Sequence, residues 1–201
     1  MIQDLIIIDD FLENPDELLF KSRCIEYYDV DSDPGNIPGQ EVYYPGYRSL
    51  NLQKFDINLY SYLTKRIMNQ TLDRGVGLYR NNYSFTSFGR MYFHYTTEDY
   101  VVDERWLHQD PTLFAGIIYL HKNPPKDTGT IIIKDGKEII VENKYNRLVL
   151  YRSDFMHSIQ KSFGKTIYDS RLTLTIFFDM ISLEILYNNK KFIESQEACQ
   201  N

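Results

Sequence analysis

The sequence predicts a mainly β fold, a sandwich or jelly-roll barrel with flanking helices. Three observations carry this. Beyond about residue 84 the helical spacing of apolar residues gives way to short apolar or alternating runs, the pattern of strands. Eight such runs follow one another, divided by turn residues at Pro111, Asn123-Pro124-Pro125, Asp135-Gly136, Asn143 and Gly164. Asp135-Gly136, set between two isoleucine-rich runs, is a two-residue hairpin signal.

The elements can be placed in order. Leu5-Ile6-Ile7-Ile8 reads as a short buried strand. Asn14-Pro15-Asp16-Glu17 is a helix start, with Asn14 as cap, Pro15 in the first turn and Glu17 three residues after the cap. The helix is expected to run to about Tyr28, with Leu18, Ile25 and Tyr28 on one side. Pro34-Gly35, Pro38-Gly39 and Pro45-Gly46 make 29–49 a long loop, and loops of that length are often functional. A second helix fits 54–69, where Phe55, Leu59, Tyr62, Leu63 and Ile67 recur at helical spacing. The strands are expected at 84–95, 105–110, 113–121, 128–134, 137–142, 147–151, 155–160 and 171–178. Residues 179–201 read as a tail that is helical at first. The chain is expected to form one domain over 1–201, with 1–83 as a helical front, 84–178 as the β core and 179–201 as the tail.

Bulk properties narrow the function. The chain has 201 residues, 43% hydrophobic and 25% charged, which is a globular composition. A net charge of −6 provides no general basic footprint, so nucleic acid is a disfavoured partner. Cys24 and Cys199 lie far apart, which points to a reducing compartment rather than a disulfide framework. The N-terminal apolar run is too short for a signal peptide or a membrane span. A cytoplasmic location is the expectation.

The chemistry is concentrated in His108-Gln109-Asp110. Two positions apart on an extended strand, His108 and Asp110 point to one face. His157 falls in a later strand, and Arg171 opens the last one. Two imidazoles and one carboxylate on one side of a metal make the facial triad of non-haem Fe(II) oxygenases, which leaves positions open for reactants. An arginine nearby can hold a carboxylate with its planar fork of donors.

These segments resemble the 2-oxoglutarate- and Fe(II)-dependent oxygenases, in particular the prolyl-4-hydroxylase-like branch and, within it, a bacterial and phage subgroup. The matching stretches are Trp106-Leu107-His108-Gln109-Asp110, Ala115-Gly116-Ile117-Ile118-Tyr119-Leu120, Thr128-Gly129-Thr130, Met156-His157-Ser158 and Arg171-Leu172-Thr173. Ile8-Asp9-Asp10-Phe11-Leu12, leading into a helix, is similar to the entry of such enzymes. The resemblance implies a double-stranded β-helix (jelly-roll, cupin-like) core. It also implies that His108, Asp110 and His157 bind Fe(II) and serve catalysis. Arg171 would pair with the far carboxylate of 2-oxoglutarate, with Thr173, Tyr92 or Tyr119 adding hydrogen bonds. The reaction implied is hydroxylation of a C–H bond, with release of succinate and CO2.

The prolyl-hydroxylase branch usually anchors the oxo acid with a lysine nearer the distal histidine. Here Lys161 and Lys165 fall in the loop after His157, whereas Arg171 starts a strand. Asp110 argues against halogenation, because halogenases of the family lack that carboxylate. Arg90, Trp106, Tyr47 and Arg48 are candidate substrate contacts, and Thr130 a candidate cosubstrate contact. His94 and His121 have no partner at metal-ligand spacing. The acidic residues Glu98, Asp99, Asp103 and Glu104 suggest a cationic or neutral small molecule or peptide as substrate. Two other readings stay open: a cupin-type dioxygenase that does not use 2-oxoglutarate, and a non-catalytic barrel that binds a metal or small acid.

Overall fold

A computed structural model describes residues 4–36, 43–73, 83–85, 89–100 and 106–182. The elements are β1 (Leu5–Ile8), α1 (Pro15–Ser22), β2 (Tyr47–Arg48), α2 (Leu52–Phe55), α3 (Ile57–Asp73), β3 (Tyr83–Phe85), β4 (Arg90–Thr96), β5 (Phe114–Tyr119), β6 (Thr130–Lys134), β7 (Lys137–Val141), β8 (Leu148–Arg152), β9 (Met156–Ile159), β10 (Arg171–Phe178) and β11 (Met180–Ser182). The protein is mainly β, as the sequence predicts. A six-stranded antiparallel sheet runs in the order β1-β8-β5-β10-β4-β2. A smaller antiparallel sheet runs β7-β6-β9, and β11 pairs with β3. From β5 onward the chain passes between the larger and the smaller sheet: β5, then β6 and β7, then β8, β9 and β10. That alternation is the double-stranded β-helix.

β10 explains why the core and the site lie on opposite faces of one sheet. Its even-numbered residues Leu172, Leu174, Ile176 and Phe178 are buried in a cluster with Leu18, Leu19, Leu52, Tyr60, Leu63 and Ile67 of the helices. Each such side chain taken fully out of water contributes about 1.5–3 kcal/mol. Its odd-numbered residues lie on the other face, toward the smaller sheet, as the period of two requires. There a second apolar cluster joins Ala115, Ile117, Tyr119, Val149 and Tyr151 to Ile132 and Val141.

The hairpin at Asp135-Gly136 forms with both residues at positive φ, 50° and 71°. Those are the angles of a type I′ turn, and they match the twist of β6 and β7. Other expectations need correction. The first helix stops at Ser22 rather than near Tyr28, because Tyr28 exchanges two backbone hydrogen bonds with Arg48 at 2.9 and 2.8 Å. Asn14 makes no side-chain cap bond. The second helix is two helices, α2 and α3, broken at Asp56. Leu63 and Ile67 are buried as expected, but Phe55 and Tyr62 are exposed and Tyr60 joins the buried face in their place. Residues 106–110 form no strand; only His108 makes a bridge. In the tail, Met180–Ser182 is a strand, and 183–201 lie outside the described residues.

Candidate metal centre

Between the two sheets lies a cavity of about 470 Å³. Its walls bring together residues from β4, β5, β8, β9, β10 and the start of β6, with 43–48 and 106–111 at the rim. No stretch of contiguous sequence could build it.

His157 sits on β9 and is 5% exposed. His108 pairs with it across an antiparallel bridge. Asp110 is fixed by its backbone N–H, which donates to the Ser153 carbonyl at 3.0 Å. One donor atom from each of the three residues lies within 4.8 Å of the others. An Asp110 carboxylate oxygen stands 3.1 Å from His157 Nε2, and the other 3.7 Å from His108 Nε2. Metal–nitrogen and metal–oxygen bonds of about 2.0–2.2 Å place neighbouring ligands about 3 Å apart; the 3.1 Å pair stands at that spacing and the 3.7 Å pair somewhat beyond it, so the set could hold one ion after a small closure.

The two rings are oriented alike. His157 Nδ1 lies 2.9 Å from the Phe155 carbonyl, and His108 Nδ1 lies 3.4 Å from the Trp106 carbonyl. A proton on Nδ1 donated to a carbonyl leaves the Nε2 lone pair free for a metal. Burial, with His157 close by, lowers the pKa of His108 and favours its neutral, ligating form. Trp106 stacks on the His108 ring at 4.1 Å, and Tyr151 packs against His157 at 4.7 Å, so both imidazoles are walled.

Arg171 lines the same cavity and is 2% exposed. Its Nε donates to the Thr128 carbonyl at 3.1 Å, and one terminal nitrogen donates to the Thr130 hydroxyl at 3.2 Å. The guanidinium carbon stands 5.5 Å from the Tyr119 ring. Among the described residues no carboxylate pairs with it. Burial depresses its pKa, as expected for a cation that lacks a counter-charge. A buried cation held by neutral partners alone is costly unless an anion completes the site.

The remaining predicted residues fall into two groups. Tyr92, Arg90, Arg48 and Trp106 line the cavity. Thr173, Tyr119 and Tyr47 do not. The Thr173 hydroxyl donates to the His94 carbonyl at 3.3 Å, and Tyr47 stacks on Tyr95 at 4.9 Å. The Tyr119 hydroxyl is buried beneath Arg171, 2.7 Å from the Thr130 hydroxyl. Glu98 and Asp99 are exposed and outside the lining, and Asp103 and Glu104 lie outside the described residues. Sequence reasoning missed Thr175, Tyr151 and His94, which do line the cavity. The alternation of β10 signals Thr175, since it shares the face of Arg171. The alternation of β4 signals His94 likewise, since it shares the face of Arg90 and Tyr92; it is buried against the Pro45 carbonyl, and burial lowers its pKa to about 4.

No protein-family model matches the chain, and no curated protein does. Solved structures do match its fold. A prolyl-4-hydroxylase from Pseudomonas putida is 15% identical, with a TM-score of 0.52 over 88% of this chain and 92% of that one. HygX from Streptomyces hygroscopicus, with nickel and 2-oxoglutarate bound, is 11% identical, with a TM-score of 0.59 over 88% and 83%. A prolyl hydroxylase from Trichoplax adhaerens, in complex with a hypoxia-inducible-factor peptide, is 12% identical, with a TM-score of 0.56 over 88% and 83%. The chain shares its fold with 2-oxoglutarate- and Fe(II)-dependent oxygenases.

Proposed function

We propose that the protein is an Fe(II)- and 2-oxoglutarate-dependent oxygenase that hydroxylates a C–H bond. One observation carries the reading: a His-Asp-His ligand set shares a cavity with a buried arginine that has no acidic partner among the described residues. In this reading His108, Asp110 and His157 hold the ion on one face and leave the opposite positions for reactants. Arg171 pairs with the far carboxylate of 2-oxoglutarate. Thr128 and Thr130 fix the plane of its guanidinium, so little side-chain freedom is lost on binding. Trp106 and Tyr151 shield the imidazoles from water. Iron and 2-oxoglutarate, when bound, supply the oxidising power of O2 with release of succinate and CO2. The protein's own task is to bind, orient and keep the site dry.

The test is anaerobic addition of Fe(II) and 2-oxoglutarate to the metal-free protein. A weak visible charge-transfer band is expected, followed by succinate release when oxygen is admitted. The reading fails if no band forms and Asp110→Ala leaves iron affinity unchanged.

A further inference from the structure

One side of the cavity holds charges that neither the metal ligands nor the cosubstrate anchor uses. Arg90, Tyr92 and His94 share the inner face of β4, and Arg48 on β2 lies opposite His94. The Arg48 guanidinium is clamped between two rings, 3.8 Å from the centre of Tyr44 and 4.2 Å from that of Tyr92. A terminal nitrogen donates to the Asp33 carboxylate at 3.3 Å. Its Nε–H is buried and has no hydrogen-bond acceptor among the described residues. Arg90 stands at the outer end of the same face, 5.9 Å from the Phe177 ring, with no acidic partner among the described residues.

Charge balance gives these groups a direction. Among the described residues, three arginines line the cavity, Arg48, Arg90 and Arg171, against a single carboxylate, Asp110. A divalent ion, Asp110, a dianionic oxo acid and Arg171 together carry no net charge. The Arg48–Asp33 pair is neutral as well. Among the described residues, Arg90 is left without a compensating charge, beside an Arg48 donor without an acceptor. The walls between them are aromatic: Tyr92 and Phe177 lie 6.3 Å apart, and Trp106 stands on the metal side.

We propose that the primary substrate is a small organic anion. Its anionic head, a carboxylate or a phosphate, accepts hydrogen bonds from Arg48 and is attracted by Arg90. Its carbon body lies on Tyr92, Phe177 and Trp106. A guanidinium fork matches either head group, and an already immobilised Arg48 loses little freedom on binding. A cavity of about 470 Å³ that also holds the oxo acid leaves room for a small molecule. The turnover of such an anion rests on the oxygenase reading; its binding does not. The acidic segment 96–105, which suggests a cationic or neutral substrate from sequence, contributes no described residue to the lining.

Trp106 is the one tryptophan of the chain and lines the cavity, so its fluorescence reports occupancy without turnover. The protein loaded with zinc, which has no redox chemistry, and with saturating 2-oxoglutarate is titrated with four probes of similar body. These are 3-phenylpropanoate, phenyl phosphate, 3-phenylpropanamide and 3-phenylpropylamine. At least one of the two anions is expected to bind roughly tenfold or more tightly than the amide and the amine. Which anion wins separates a carboxylate substrate from a phosphate one. Arg48→Gln and Arg90→Gln are expected to remove the preference. If Arg48→Gln does not fold, Arg48→Lys tests the same contact with its charge retained, and Arg90, being exposed, tolerates its change. Equal or tighter binding of the amide or amine overturns the proposal, as does no response to any probe, or an unchanged preference in both arginine variants. Failure of the iron and 2-oxoglutarate band would instead remove the oxygenase reading and leave this titration to decide the anion.

Discussion

His108 and His157 hold each other in place. Each donates its backbone N–H to the carbonyl of the other, at 3.1 and 2.9 Å, and each turns its Nδ1 toward the carbonyl two residues before it. One antiparallel bridge thus joins the 106–111 segment to the smaller sheet and sets both imidazoles toward Asp110.

Loss of a ligand therefore acts on affinity more than on the scaffold. His157→Ala and Asp110→Ala are each expected to weaken Fe(II) binding by about 100-fold or more, beyond the 10–100-fold typical of the groups behind the ligands. Anaerobic calorimetry with Fe(II), alongside circular dichroism to confirm folding, checks this.

Arg171→Gln is expected to raise the dissociation constant of 2-oxoglutarate by about 100-fold, because removing one partner of a buried charge pair costs about 2–5 kcal/mol. Thermal melting provides an independent check. Saturating 2-oxoglutarate raises the melting temperature of the parent protein by mass action and leaves that of the variant unmoved.

Gly129→Ala tests the support behind that arginine. A Cβ there would lie 2.0 Å from the Val141 carbonyl oxygen and 2.9 Å from the Gln160 side-chain oxygen. Gly129 stands between Thr128 and Thr130, the two acceptors that fix Arg171. The expected cost is about 2–4 kcal/mol of stability with weaker 2-oxoglutarate binding. Urea unfolding and ligand titration measure the two effects separately.

His94 makes stability depend on pH. Burial, with Arg171 and Arg48 nearby, holds its folded-state pKa down at about 4, against about 6.5 for the unfolded chain. As pH falls, the unfolded chain takes up the proton first. The contribution of His94 is thus fully present above about pH 6.5 and declines toward pH 4, by about 3 kcal/mol at most. Urea midpoints at neutral and acid pH are expected to converge less in the parent than in His94→Gln, whose profile is flatter.

Much of this could be read from sequence, and the reason is periodicity. Strand alternation places Arg171 on one face of β10 and Leu172 on the other, and the Asp135-Gly136 turn is local chemistry. His108, Asp110 and His157 stood out because three metal-ligand types fell on a β framework. What could not be read depends on partners distant in sequence. Tyr28 leaves its helical pattern to pair with Arg48, and the 106–110 segment is held by one bridge rather than a ladder. Thr173 shares the face of Arg171, yet its hydroxyl is taken by the His94 carbonyl. The arginine clamp of Tyr44, Arg48 and Tyr92 joins a loop to a strand, which no spacing rule anticipates.

The position of β10 has a consequence for the birth of the chain. It is the central strand, flanked by β5 and β4, and it comes after both in sequence. A ribosome delivers β4 and β5 first, each with an open edge, and the fold cannot close until 171–178 have emerged. The same strand carries Arg171 and seals the helix-facing core. A nascent or prematurely terminated chain ending before it thus lacks Arg171 and the closed sheet together, so half-made copies cannot form the cavity.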